Sequence, residues 1–381
     1  MAAKESIQLP VLDVSQPGPE TAKDLTEAVK NYGFVFIKNN HSEIPVADVD
    51  NMFALSQEFF QSSTDIKTPF SMNSGSSGKN SGWFSMHSET LDPDKQKAWF
   101  PLVLHDRIRN RPNNDPAARR LQRVRACVTT SIIRLLIDII RAFNMNEFRN
   151  GKAQQPLPPP LAENEARVNA FIDQCRLLCI RILELFAIGL EIDEKDGGKD
   201  WFSPFHDPAK GPSGTVFRTL YYPSLPASPG YDSETDIRAG AHSDYGTITL
   251  LFQRPGQPGL EILASRRGDE KEEWLSVPIN PSDEANTPIL VNVGDLLEYW
   301  TDGVLKSAVH RVIFPKDGIG EDRYSMAYFC HPMDDAKLEA VPSKMVREAE
   351  GRGAKGVARV EGEQVLTAKQ HLDSRLAATY L

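Results

Sequence analysis

The hydrophobic pattern divides the chain into a helical first half and a β-rich second half. Apolar residues recur at three- and four-residue steps over 21–32, 46–62 and 164–190, which predicts three amphipathic helices. Short apolar runs at 7–14 and 34–37 predict strands on either side of the first helix. The third helix has the clearest apolar stripe, formed by Phe171, Cys175, Leu178, Ile182 and Phe186.

After residue 211 the pattern changes to short β-type runs separated by clusters of Pro, Gly, Asp and Asn. Such spacing predicts an antiparallel sandwich or barrel, followed over 366–380 by an amphipathic helix able to cap it. The predicted strands span 214–222, 246–252, 260–264, 274–279, 289–293, 304–314 and 323–330.

Composition narrows the class of protein. The chain has 381 residues, of which 40% are hydrophobic and 25% charged, as in ordinary globular proteins. Its formal charge of −9 argues against nucleic acid or an anionic membrane as the main partner. It has no secretory signal, no apolar run long enough to span a membrane and no CxxC pair among its four cysteines. We therefore expect a cytoplasmic protein, monomeric, that binds neither membrane nor nucleic acid.

Residues 98–141 differ in composition from the rest of the chain. This block contains nine Arg but no Lys and no Glu, whereas the remainder uses both freely. A pair of basic surface helices is the simplest interpretation. We predict instead an insertion outside the catalytic core, either a true insertion or translated intron.

Two histidines and one aspartate offer a set of metal ligands. His242 and Asp244 are two residues apart in AHSDYG, so on extended chain their side chains point the same way. His310 lies within the predicted strand VLKSAVHRVIF. Two His and one carboxylate form the facial triad of non-haem iron enzymes, which leaves positions open for co-substrate and oxygen. An HxD pair alone is weak evidence for a metal site, because a surface histidine at the end of a strand is an about equally common explanation.

A second group of residues offers a grip for a carboxylate. Arg323 and Ser325 share one face of the strand RYSMAYF, where they present a forked cation and a hydroxyl. An inward arginine in a β-barrel requires a partner, because an unpaired buried charge is costly. Arg218 and Tyr222 share a face of another strand, and the Tyr222 hydroxyl can reach the same acid.

These segments together resemble a known family. RTLYYP, AHSDYG, VNVGD, SAVHRV and RYSMAYF are similar to segments of the iron(II)/2-oxoglutarate-dependent oxygenases of the isopenicillin N synthase-like family, and the resemblance covers residues 7–97 and 142–381. It implies an α+β fold, with a double-stranded β-helix (jelly roll) core, flanking helices and an α/β amino-terminal region. It also implies that iron(II) binds to His242, Asp244 and His310. By the same resemblance Arg323, Ser325 and Tyr222 bind 2-oxoglutarate, and O2 is the other co-substrate.

The resemblance also implies a domain organisation. Residues 7–97 are the amino-terminal region, 98–141 the Arg-rich insertion and 142–210 a helical support. The jelly roll then occupies 211–335, and 336–381 form a capping segment.

The substrate side is less sharply defined. Strand parity predicts that Arg218, Leu220, Tyr245 and Phe329 face the substrate, where one cation and two aromatic rings suit a small flat or cyclic molecule. The segments YFCHP and SRLAATY are most similar to fungal members, among them pyrimidine-base hydroxylases whose Arg, Tyr and Phe hold the base. Leu220 departs from the Asn common in the family.

We expect a dioxygenase that oxidises a C–H bond of a small metabolite, in fungal secondary metabolism. The alternatives are a pyrimidine-base hydroxylase, a catalytically silent binding protein on the same fold, and a cupin-like zinc or nickel enzyme.

Overall fold

Two β-sheets form the centre of the protein, and helices cover one face of the larger sheet. A computed structural model describes residues 6–39, 44–72, 81–85, 141–224, 237–265, 271–314, 321–349 and 365–380. Within these residues the helices are α1 Pro19–Tyr32, α2 Val46–Gln61, α3 Thr64–Lys67, α4 Pro159–Ala162, α5 Glu165–Gly189, α6 Asp295–Trp300, α7 Lys344–Ala349 and α8 Ala368–Tyr380. None of the helices in these ranges is long and apolar enough to cross a membrane.

The described residues contain fourteen strands. They are β1 Val11–Leu12, β2 Phe34–Ile37, β3 Gly82–Ser85, β4 Arg141–Met145, β5 Phe148–Arg149, β6 Lys152–Ala153, β7 Val216–Tyr222, β8 Ile237–His242, β9 Ile248–Gln253, β10 Leu260–Ser265, β11 Glu272–Ser276, β12 Ile289–Val293, β13 His310–Ile313 and β14 Arg323–Cys330. The major sheet has the order β1-β2-β12-β9-β14-β7-β4-β3, and the minor sheet β11-β10-β13-β8. Apart from the parallel pair β1–β2, the strands of both sheets pair antiparallel.

Alternate residues of the major sheet serve two separate cores. On β14, Tyr324, Met326, Tyr328 and Cys330 pack into a large cluster with the helices, in which α5 contributes its apolar stripe. The intervening Ala327 belongs to a second cluster between the two sheets. This period-two division follows from the pleat of a strand, whose successive side chains point to opposite faces. The interior of the sandwich is therefore reached by odd-numbered residues of β14.

The three predicted long helices are confirmed as α1, α2 and α5, with small shifts at their ends. The predicted strand 304–314 is wrong over its first half, since only His310–Ile313 is strand. Two side chains in or next to α6 accept hydrogen bonds from backbone N–H groups that precede β13. Leu305 N–H donates to Thr301 Oγ1, and Ser307 N–H donates to Glu298 Oε1. These bonds compete with a β ladder.

Other elements also differ from the prediction. Strand β8 and helix α6 were not predicted, and of the predicted strand 7–14 only Val11–Leu12 pairs as strand. The Arg-rich block falls almost entirely outside the described residues, which resume at Arg141. Its assignment as an insertion stays a prediction.

Candidate active site

Two neighbouring strands of the minor sheet bring the predicted metal ligands together. His242 ends β8 and His310 begins β13, directly opposite in the ladder, with ring centroids 4.4 Å apart. Asp244 follows two residues after β8, and its Oδ1 lies 3.8 Å from His310 Nε2. One ligand atom from each of the three residues lies within 4.8 Å of the others. This grouping can hold one metal ion.

Backbone carbonyls orient both imidazoles. His242 Nδ1 lies 2.7 Å from Gly240 O, and His310 Nδ1 lies 3.1 Å from Ala308 O. Because a carbonyl oxygen only accepts, each Nδ1 carries the proton and donates, so the lone pair of each neutral ring is on Nε2. Metal-binding histidines are commonly held in this way.

The carboxylate of Asp244 is buried and held on one side only. Its Oδ2 accepts hydrogen bonds from Thr249 Oγ1 and Asn292 Nδ2, both at 2.7 Å. Burial by itself would raise the pKa of Asp244, but His310, His242 and these two donors together bring that pKa below its ordinary value. The group is therefore an anion, with Oδ1 turned towards the histidines. Two neutral nitrogens and one carboxylate oxygen fit iron(II).

The major sheet supplies a buried cation facing the same space. Arg323, at the start of β14, is 2% exposed, and its Nη1 donates to Ser325 Oγ at 3.0 Å. Its guanidinium lies 5.2 Å from the centre of the Tyr222 ring on β7. Burial lowers the pKa of Arg323, an effect that Tyr222 opposes. No carboxylate among the described residues lies within ion-pair distance of Arg323, so the arrangement favours an anionic ligand.

A cavity of about 140 Å³ joins the metal ligands to this cation. All ten residues predicted for the site line it: Arg218, Leu220, Tyr222, His242, Asp244, Tyr245, His310, Arg323, Ser325 and Phe329. The structure thus brings all of them to one place; the role of each stays a prediction.

Arg218 is the most constrained of the predicted substrate residues. Its Nε donates to Asn144 Oδ1 at 2.8 Å. Its guanidinium also lies between two rings, 5.0 Å from the centre of Phe84 and 5.4 Å from that of Phe329. Such contacts hold a cation in a fixed position at the cavity. Asn144 was not predicted, because it belongs to strand β4, which the hydrophobic pattern did not reveal.

Three residues that do line the cavity were missed. His331 follows β14, and Leu372 and Leu376 lie on α8, and all three line the cavity. His331 stands in the segment YFCHP, whose resemblance to fungal proteins was noted without a role for the histidine. A capping helix was predicted over 366–380, but Leu372 and Leu376 were not singled out as the residues that line the cavity.

Comparisons with known proteins agree with this geometry. Residues 214–332 match the family model described as the 2OG-Fe(II) oxygenase superfamily. Residues 9–125 match the model described as the non-haem dioxygenase in morphine synthesis N-terminal region.

Full-length relatives extend the match along the chain. The UPF0676 protein C1494.01 of Schizosaccharomyces pombe is 30% identical over 377 residues, which cover 98% of this chain and 94% of that protein. The 2-oxoglutarate-dependent dioxygenase htyE of Aspergillus rugulosus is 26% identical over 375 residues, covering 94% and 92%.

Solved structures share the fold. The thymine 7-hydroxylase of Neurospora crassa, in complex with alpha-KG and thymine, superposes with a TM-score of 0.65 at 24% identity, over 99% of this chain and 98% of that one. The rice dioxygenase for auxin oxidation gives a TM-score of 0.61 at 18% identity, over 97% and 96%. These likenesses confirm the predicted α+β jelly-roll fold.

Proposed function

Because this chain belongs to the 2OG-Fe(II) oxygenase superfamily, and is an iron(II)- and 2-oxoglutarate-dependent dioxygenase, we propose that it oxidises a C–H bond of a small organic metabolite in the cavity described above. Iron(II) is held by His242, Asp244 and His310. The observation that carries this assignment is the convergence of their ligand atoms within 4.8 Å, with both Nδ1 atoms and Oδ2 already bonded elsewhere.

Iron and 2-oxoglutarate supply the oxidising chemistry when bound: O2, 2-oxoglutarate and R–H are converted into succinate, CO2 and R–OH. Arg323, with Ser325 and Tyr222, binds the distal carboxylate of 2-oxoglutarate. These three residues lie on the major sheet, facing the ligands on the minor sheet across the cavity. The residues of this chain therefore bind, orient and shield the reactants rather than transfer protons.

The substrate is small, and flat or cyclic, with one polar or anionic edge. Arg218 presents a fixed cation for that edge, while Phe329 and Tyr245 present aromatic surface and Leu220 an aliphatic one. The modest cavity volume favours a small molecule over a polypeptide. The fungal origin of the full-length relatives supports a role in fungal secondary metabolism.

A pyrimidine base is the second candidate substrate. The observation that favours it is the likeness to a Neurospora structure that holds thymine, together with Arg218, Tyr245 and Phe329 at the cavity. These side chains suit other cyclic molecules as well, so the metabolite stays the first proposal.

The enzyme acts as a cytoplasmic monomer without nucleic acid. The formal charge of −9 supports the second part, because phosphate backbones are bound by basic surfaces.

Succinate formation tests the function. Protein loaded with Fe(II) is incubated with 2-oxoglutarate and a panel of cyclic metabolites that includes thymine. We expect at least one metabolite to stimulate succinate formation with matching product, and His242→Ala and Asp244→Ala to abolish it while the circular dichroism spectrum is unchanged. His206→Gln, at a buried histidine outside the cavity lining, is the control. Efficient coupled formation of 5-hydroxymethyluracil from thymine would promote the pyrimidine candidate, and full activity of Asp244→Ala would exclude the metal assignment.

A further inference from the structure

A buried histidine that the iron site does not use faces the catalytic cavity. His331 is 7% exposed and lies directly after β14, two residues beyond Phe329. Its side chain therefore continues the row of alternate residues on β14 that line the cavity. That row begins with the predicted 2-oxoglutarate residues Arg323 and Ser325 and ends with His331.

Two glycines make room for the imidazole. A Cβ placed on Gly214 would lie 3.3 Å from Cγ and Nδ1 of His331, and one placed on Gly246 would lie 2.9 Å from Nε2. The main chain of His331 is also tied on both sides, since its N–H donates to Thr215 Oγ1 at 3.1 Å and its C=O accepts from the same hydroxyl at 3.2 Å. The ring is thus held in place by its main chain and by packing against the two glycines.

The ring nitrogens of His331 bond to none of the residues that the structure describes. His206, another buried histidine nearby, differs: its Nδ1 lies 2.9 Å from Phe202 O and its Nε2 3.3 Å from Thr247 Oγ1. Buried polar groups are nearly always paired, so an unpaired imidazole at a cavity indicates a partner that enters the cavity.

The ring is uncharged at neutral pH. Burial, together with His371 and His206, lowers the pKa of His331 to about 3. A neutral imidazole has one N–H donor and one lone-pair acceptor. Its complement is therefore an uncharged polar group, such as an amide, a lactam or a hydroxyl. An isolated carboxylate is a poorer partner for this imidazole, and the cation of Arg218 is better suited to bind a carboxylate.

We propose that His331 is a substrate-recognition residue, which hydrogen-bonds an uncharged polar group of the substrate beneath Leu372 and Leu376 of α8. This rests on the proposed function, because it concerns the substrate of the same cavity. The two leucines line the same cavity as the imidazole, and Leu372 Cδ2 is the atom nearest to where a Gly214 Cβ would stand. His331 is thereby the polar point in an otherwise apolar corner.

A purely structural histidine would behave differently. If His331 only fills space between the two glycines, its replacement changes stability but leaves the preference of the cavity for polar over apolar molecules unchanged. That preference is the readout that separates the two roles.

The test compares two probes of similar shape, 2-pyridone and toluene, binding to the full chain loaded with Zn(II) and 2-oxoglutarate, as measured by NMR titration. Wild-type protein is expected to bind 2-pyridone about tenfold more tightly than toluene, the size of one to two net hydrogen bonds. His331→Leu should lose that preference with toluene affinity unchanged, and His331→Asn should restore part of it. His206→Gln is the matched control, with wild-type preference expected.

Two results would overturn the assignment: wild-type protein without a preference for 2-pyridone, or a preference that survives in His331→Leu. Because the wild-type and His331→Asn measurements stand alone, a poorly folding leucine variant does not prevent a decision. Succinate formation by the Fe(II)-loaded protein with the panel of metabolites is measured in parallel. Its absence from wild-type protein with every metabolite would count against the proposed function, whereas the probe preference judges His331 alone.

Discussion

Asn292 on β12 donates a 2.7 Å hydrogen bond to Oδ2 of Asp244, which precedes it by 48 residues. Thr249 donates to the same oxygen, so Oδ2 is occupied twice while Oδ1 faces His310. The carboxylate can therefore offer a metal one oxygen rather than two. A ligand held in this way occupies one coordination position and leaves others for co-substrate and oxygen.

Asn292→Ala should weaken metal binding by about 10- to 100-fold, the effect typical of removing a hydrogen bond to a metal ligand. Titration of the apoprotein with Co(II), followed by its visible absorption, measures this without turnover. Asn280→Ala is the control, since among the described residues the Asn280 side chain bonds to Glu284 in its own loop. Affinity within twofold of wild type would show that Thr249 alone orients Asp244.

Arg323→Ala should raise the KM for 2-oxoglutarate at least tens-fold, because removing one side of a buried charge pair costs about 2–5 kcal/mol. Arg323→Lys should recover only part of the loss, since an ammonium group cannot reproduce the planar fork. Arg311→Lys is the matched control: Arg311 is paired with Glu261 on the minor sheet and should leave the KM unchanged. An unaltered KM in Arg323→Ala would place the co-substrate carboxylate elsewhere.

The site was predictable from sequence where it depends on local periodicity. Arg323, Ser325 and Phe329 share a face because a strand has a period of two, and that can be read from numbering alone. Asn144 was not predictable, because its contact with Arg218 depends on β4 pairing with β7 across 74 residues.

The start of the strand at His310 was misjudged for a similar reason. Thr301 and Glu298 accept hydrogen bonds from the backbone N–H groups of Leu305 and Ser307, and the position of α6 makes these bonds possible. The hydrophobic pattern of residues 304–309 does not indicate these bonds. The role proposed for His331 likewise depends on its ring nitrogens having no hydrogen-bond partner among the described residues, which the sequence does not indicate.

The carboxy-terminal helix α8 is bound by an ion pair to the segment next to the predicted metal ligands His242 and Asp244. Arg375 on α8 forms a 2.5 Å ion pair with Asp295, which also accepts a 3.0 Å hydrogen bond from Ser243 Oγ. The Arg375 guanidinium lies 5.5 Å from the centre of the Tyr245 ring. Ser243 and Tyr245 alternate in sequence with the predicted ligands His242 and Asp244, so α8 contacts the other side of the same loop.

Arg375→Ala should loosen α8 over the cavity and raise the fraction of 2-oxoglutarate decarboxylated without product, because Leu372 and Leu376 then shield the cavity less well. Hydrogen exchange of residues 368–378 should quicken in parallel. Lys369→Ala removes an exposed ion pair of the same helix, that with Asp373, and should change neither measurement. Unchanged hydrogen exchange in Arg375→Ala would show that the ion pair with Asp295 does not hold α8 in place.

Stability should fall on mild acidification. Burial lowers the pKa of His206 to about 4, and burial together with Arg375 lowers that of His371 to about 4. In the unfolded chain both return to about 6.5, so between these values the unfolded state binds more protons than the folded state. The free energy of unfolding should therefore drop as pH falls from 6.5 towards 4, by up to about 1.4 kcal/mol per pH unit for each histidine.

Urea unfolding at pH 7, 6 and 5 measures this slope. His206→Gln keeps a polar side chain but cannot take up the proton, so it should reduce the slope between pH 6 and 5. A slope equal to that of wild type would show that His206 does not contribute to the acid sensitivity.

The alternation along β14 also bears on how such an enzyme can diversify. Tyr324, Met326 and Tyr328 pack against the helical layer, whereas Ala327 and Phe329 line the cavity. Selection for a new substrate can therefore act on every second codon of this strand while the intervening codons preserve folding. Libraries that randomise Ala327, Phe329 and His331 together should retain a high proportion of folded members, whereas those that randomise Met326 and Tyr328 should lose most of them.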